Sequence, residues 1–136
     1  MSGTLMIVED HLLMRRTLRE LLQKWFPSLD IIEAGDVPEA LRFVAAYSPE
    51  VILMDIHLPG GSGLHATRRI KNELPGTTVI VCTSETCDLY RKAAFASGAT
   101  HFIPKNELSS NNLRGVIEAA INSAGALGQE PDKESP

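Results

Sequence analysis

Short continuous apolar runs alternate along the chain with stretches where apolar residues recur every three or four positions. Leu5-Met6-Ile7-Val8 is the first run, and it ends in Glu9-Asp10. The next stretch predicts a helix: Met14, Leu18, Leu21, Leu22 and Trp25 share one face, and Pro27 stops it. Asp30 to Ala34 predicts a second strand, polar enough for a sheet edge. Val37 to Ala46 predicts a helix with Ala40, Leu41 and Val44 inward. Val51-Ile52-Leu53-Met54 is a third run, and it ends in Asp55. Pro59 to Gly63 reads as a loop by composition, and a helix from about Leu64 to Leu74 stops at Pro75-Gly76. Thr78 to Cys82 is a fourth strand, ending in Thr83-Ser84. Asp88 to Ser97 predicts a helix closed by Gly98, and His101-Phe102-Ile103 is a short fifth strand leading to Pro104-Lys105. The last helix carries Leu113, Val116, Ile117, Ala120, Ile121 and Ala124 inward, with Gly125 as its expected cap.

Continuous apolar strands call for a sheet covered on both faces. Such strands run parallel and are joined by right-handed helical crossovers. The expectation is a doubly wound α/β fold with five strands in the flavodoxin-like order 2-1-3-4-5 and five helices. The domain spans residues 4–124. The stretch 125–136 is polar, acidic and proline-bearing, and reads as a tail or the start of an interdomain linker.

Composition narrows the class. The 136 residues are 43% hydrophobic and 22% charged, which suits one soluble domain of ordinary size. A net charge of -4 argues against a direct nucleic-acid partner, because duplex binders present a basic face. No apolar run approaches the ~20 residues that span a bilayer, and no signal-peptide pattern opens the chain. The expected location is the cytoplasm, with no membrane partner. Cys82 and Cys87 lack zinc-ligand spacing and read as reduced thiols.

In an open parallel sheet, ligands bind at the carboxyl ends of the strands. Those ends carry Glu9 and Asp10, Asp55, Thr83 and Ser84, and Lys105. The first and third strands are neighbours in the expected order, so three carboxylates converge. Close like charges are costly unless a cation joins them, and hard oxygen donors suit Mg²⁺ (or Mn²⁺). A carboxylate is a usable nucleophile toward phosphorus, and a metal with a lysine stabilises the charge that gathers on a transferring phosphoryl group. In that scheme Glu9 and Asp10 hold the metal, Asp55 attacks, Lys105 balances the phosphoryl charge and Thr83 hydrogen-bonds to a phosphoryl oxygen.

Four stretches, in this order and each at a strand end, closely resemble the receiver domains of bacterial two-component response regulators (CheY-like). They are LMIVEDH from Leu5, VILMDIHLPGGSG from Val51, VIVCTS from Val79 and GATHFIPK from Gly98. The resemblance covers roughly Thr4 to Ala124. It implies Asp55 as phosphoacceptor and Glu9 with Asp10 as the acidic pair. It implies the backbone carbonyl of His57 as a further metal ligand, Thr83 as switch hydroxyl, Lys105 as the family's lysine and Phe102 as switch aromatic. The His57 side chain and Glu85 are candidates for tuning the phosphoryl group, the plainer reading of His57 being an exposed loop residue. The implied mechanism is a population shift in which Thr83 moves toward the phosphoryl group, Phe102 turns inward behind it, and the face of the fourth helix, fifth strand and fifth helix changes for its partners. Three positions depart from the common pattern: Glu9 stands for Asp, Phe102 for Tyr, and proline precedes Lys105 rather than following it.

The resemblance implies a sensor histidine kinase or phosphotransfer protein as donor, and a possible homodimer. Gly98 to Glu107 looks like receivers that precede a helix-turn-helix domain. The chain therefore reads as the receiver of a longer transcriptional regulator, meeting DNA only through an output domain outside this sequence, with a free-standing single-domain receiver as the alternative. Its catalysis is limited to its own phosphorylation and dephosphorylation.

Each residue alone has a plainer reading. Asp55 or Asp10 alone is a cap, Lys105 alone a surface charge, and Thr83 a strand-end hydroxyl; their shared register favours function. His11, His65 and His101 lack ligand spacing and read as surface or helix-end residues. Arg15 and Arg16 read as a solvated helix face, with partner docking as the alternative. Two other functions compete. A flavodoxin-type cofactor domain needs a small phosphate loop after the first strand, where this chain has Glu9-Asp10-His11. A receiver-like interaction scaffold that is never phosphorylated keeps the same fold.

Overall fold

The computed structural model describes residues 3–85, 87–107 and 111–133, without side-chain detail at 111 and 124–133. The elements run β1 (Thr4–Val8), α1 (Leu12–Trp25), β2 (Asp30–Ala34), α2 (Val37–Tyr47), β3 (Val51–Met54), β4 (His57–Leu58), β5 (Gly61–Ser62), α3 (Gly63–Glu73), β6 (Thr78–Thr83), α4 (Asp88–Ala96), β7 (His101–Pro104) and α5 (Asn111–Lys133). A single 3-10 turn, Lys105–Glu107, follows β7.

The five long strands are parallel in the order β2-β1-β3-β6-β7, which is the expected 2-1-3-4-5 counted over those strands. Side chains alternate between the two faces, as strand geometry demands. Leu5, Ile7, Val51, Leu53, Ile80, Cys82 and Ile103 pack under α1 and α5, against Leu18, Leu22, Leu113, Ile117 and Ile121. Met6, Val8, Ile52, Met54, Val79, Val81 and Phe102 face the other way, against Ala40 and Val44 of α2, Ala66 and Ile70 of α3 and Ala94 of α4. The polar strand β2 lies at the edge, where Glu33 pairs with Arg15 and Arg19 of α1.

Two stretches differ from expectation. Pro59 to Gly63 is more ordered than a loop: His57–Leu58 pairs antiparallel with Gly61–Ser62, and Ser62 caps α3 through Leu64 N–H. Composition hid this because two-residue strands leave no periodicity. The last helix does not end at Gly125. It runs through Gly125, Gly128 and Pro131 to Lys133, with Ala126, Leu127, Gln129 and Glu130 favouring helix and each glycine costing about 1 kcal/mol.

Candidate functional site

The register aligns the strand ends. Val8 pairs with both Ala34 and Met54, and Met54 with Val81. One step further, Glu9 N–H donates to Ala34 O (3.0 Å) and Asp55 N–H to Val8 O (3.1 Å). This extension of the ladder brings Glu9, Asp10 and Asp55 together, with one carboxylate oxygen of each lying within 4.8 Å of the others. Glu9 and Asp55 are buried, and Asp10 is exposed at the mouth. Glycine is required beneath the site. A Cβ at Gly63 would overlap the Asp55 carbonyl oxygen.

Lys105 reaches in from the turn after β7. Its Nζ lies 2.7 Å from Glu9 Oε1 and 3.1 Å from Asp55 Oδ2. Burial pushes its pKa down, but the hydrogen bonds to Glu9 and Asp55 outweigh that and hold it above the ordinary lysine value. The remaining oxygens are also engaged: Asp55 Oδ1 accepts from Ile56 N–H (2.8 Å) and Glu9 Oε2 from His11 N–H (3.0 Å). With the carboxylates ionised, three of them and one ammonium leave two negative charges, which a divalent cation would balance. Two oxygens on one Mg²⁺ stand at most about 4.2 Å apart, twice the ~2.1 Å bond. The donor set therefore fits such an ion with a small closing movement or an intervening water.

Thr83 ends β6 fully buried, and its Oγ1 accepts from Glu85 N–H (3.1 Å). Phe102 is turned inward, 8% exposed, with the Arg91 guanidinium 5.7 Å from its ring centroid and equally far from that of Phe95. His57 and Glu85 meet across the mouth, Nε2 to Oε2 at 3.0 Å, and the His57 ring packs edge-on against Tyr90. Sequence reasoning placed both residues here without pairing them.

Three further sequence readings resolve. His11, not Asp10, is the N-cap of α1, with Nδ1 accepting from Met14 N–H (3.4 Å). Cys82 is buried away from water, which pushes its thiol pKa up and makes it inert. Arg15 is not a solvated residue: its guanidinium donates to Glu33 (2.9 Å) and to the Glu9 carbonyl (2.8 Å), while Arg16 is exposed. Among the described residues no helix is long and apolar enough to cross a membrane.

The family model described as the response regulator receiver domain matches residues 5–118. The chain belongs to that family. This receiver is 36% identical over 101 residues to the DNA-binding transcriptional activator DevR/DosR of Mycobacterium tuberculosis, covering 74% of the chain and 46% of the relative. It is 35% identical over 105 residues to the chemotaxis protein CheY of Halobacterium salinarum, covering 77% of the chain and 86% of the relative. A LuxR-family two-component response regulator from Aurantimonas superposes with TM-score 0.80 at 25% identity, over 90% of this chain and 87% of that one. The receiver thus spans about half the length of the transcriptional relative and most of the chemotaxis one.

Proposed function

We propose that Asp55 accepts a phosphoryl group from a histidine of a sensor kinase or phosphotransfer protein. The observation that carries this reading is the Lys105 ammonium, held at 3.1 Å from Asp55 Oδ2 inside the acidic cluster. An Asp55 carboxylate oxygen attacks phosphorus. A P–O bond forms, the P–N bond breaks, and its electron pair leaves with the imidazole nitrogen. Lys105 stays beside the new acyl phosphate and offsets the charge on its oxygens. Thr83 exchanges its contact with the Glu85 N–H for one with a phosphoryl oxygen, and Phe102 holds its inward packing behind it. Glu9, Asp10, Asp55 and the His57 main-chain carbonyl would hold Mg²⁺ or Mn²⁺, which when bound neutralises charge on the transferring phosphoryl oxygens. His57 and Glu85, paired at the mouth, limit access of water to that group.

The receiver domain occupies residues 4–124, and 125–136, into which α5 continues as far as Lys133, is a tail or the start of an interdomain linker. The switch propagates to the face built by α4, β7 and α5, which serves an output partner or a second copy of the chain. Transcription is the output supported by the half-length match to a DNA-binding activator. DNA contact then belongs to an output domain beyond this stretch. The chemistry acts on the domain's own phosphoryl group in the cytoplasm, not on a separate substrate.

Intact-mass spectrometry after incubation with a small acyl-phosphate donor tests this. One phosphoryl group should be gained with Mg²⁺, none with chelator, and none on Asp55→Ala. A folded wild type that gains nothing from either the small donor or a panel of phosphorylated kinases would leave the scaffold reading in its place.

A further inference from the structure

The acidic pair that would hold the metal is itself held by a residue outside the cluster. Arg15 projects from the first turn of α1 with only 20% of its side chain exposed. Its Nη1 donates to the main-chain carbonyl of Glu9 at 2.8 Å. Its Nε donates to Glu33 Oε1 at 2.9 Å, and Glu33 is steadied from its other oxygen by Arg19 at 2.7 Å. Gly35 leaves room for this: a Cβ there would stand 3.1 Å from Arg15 Nη1. The Glu9 backbone is therefore fixed on both sides of its Cα, its N–H on Ala34 O and its carbonyl on Arg15. The Asp10 backbone begins at that carbonyl carbon, so its orientation sets where the Asp10 carboxylate stands.

We propose that Arg15 is a positioning residue that uses the edge-strand Glu33 as its anchor to aim Glu9 and Asp10 at a divalent cation. This rests on the metal-assisted reading above. A guanidinium suits the task because its planar fork serves two acceptors at fixed angles, which a lysine ammonium cannot do. Groups that orient metal ligands without touching the metal commonly change affinity by about 10- to 100-fold.

Electrostatics and positioning predict opposite signs here, which makes the test decisive. Removing a cation near an acidic site should by charge alone tighten Mg²⁺ binding. Loss of positioning should weaken it. The experiment is calorimetric Mg²⁺ titration of the wild type, Arg15→Ala, Arg15→Lys and Arg19→Ala, each with a thermal melt. Arg19→Ala removes a cation from the same Glu33 without touching Glu9. The expected result is Mg²⁺ affinity lowered about tenfold in Arg15→Ala and severalfold in the charge-preserving Arg15→Lys, with Arg19→Ala within twofold of wild type. Should Arg15→Ala fail to fold, Arg15→Lys against Arg19→Ala carries the same comparison. Wild-type binding with unchanged or tighter binding in the Arg15 variants overturns the inference while leaving the metal reading intact. A wild type that binds no Mg²⁺ overturns the metal reading and this inference with it.

Discussion

Two loops at the same end of the sheet deliver polar groups to one centre, and they are tied down in different ways. The β1–α1 loop is held through several contacts around the buried Glu9. Glu9 is 2% exposed, and its N–H, its carbonyl and both carboxylate oxygens each have a partner. The residues after β6 are held by one partly buried contact and one at the surface. Glu85 bonds to Thr83 Oγ1 through its N–H and to His57 through its carboxylate, with side-chain exposures of 37% and 58% for Glu85 and His57. Water competes with surface pairs and leaves them worth little. Segments held this way open at low free-energy cost, and moving parts are drawn from them. On our reading the first loop holds ligands still, and the second follows directly on Thr83, whose hydroxyl must move.

Lys105→Met should break the fixed side most severely. The substitution leaves the Glu9 and Asp55 carboxylates facing each other without their shared cation, and breaking a buried pair by removing one partner costs several kcal/mol. Lys105 keeps some contact with water, so about 2 kcal/mol is expected in chelator. Because its pKa is raised, the wild-type contribution is complete below the ordinary lysine value of 10.5 and lost only as pH rises through the elevated one. Urea unfolding of both proteins at neutral pH measures this. Equal midpoints would show that the carboxylates relax apart on their own.

The anchor behind the fixed loop is weaker and has its own pH signature. Burial pushes the Glu33 pKa up, but hydrogen bonds from Arg19 and Arg15, with their charges, outweigh it and leave it below the ordinary 4.5. A depressed carboxylate pKa stabilises the fold above 4.5 and loses that contribution as pH falls through the folded value. Glu33→Gln should cost about 1 kcal/mol or less at pH 7, since water reaches both Arg19 and Glu33, and the gap should close in acid. A gap that stays constant as pH drops would mean that packing, not charge, is what the substitution removes.

The features legible in the sequence are those with a local signature. Four of the five long strands are apolar runs because both faces are covered, and Glu9, Asp10, Asp55, Thr83 and Lys105 were found because they close or follow such runs. β2 read as an edge strand because Asp30 and Glu33 break that pattern. Arg15 was misread because its partners leave no pattern: one lies 18 positions away and the other is a main-chain carbonyl. The His57–Glu85 contact spans 28 positions and exists only once β4 and the end of β6 are brought side by side. Helix periodicity located α5 by its inward residues but not its end, because helix termination depends on capping and on weak propensities rather than on the apolar stripe.

The smallest expected effect on stability is also the sharpest probe of the contrast between the loops. Glu85→Ala deletes an exposed contact, so global unfolding should shift by less than about 0.5 kcal/mol. Its local effect should be larger. Amide hydrogen exchange in the wild type should show the Glu9 N–H protected nearly as well as the core, since it continues the parallel ladder. The N–H at position 85 should exchange far faster, and faster still once its carboxylate anchor on His57 is gone. The Glu9 amide should not respond, because no contact of Glu85 reaches the β1–α1 loop among those the structure describes. Equal protection of the two amides in the wild type would remove the distinction between a held loop and a moving one. The switching role of Thr83 would then have to come from side-chain rotation on a fixed backbone.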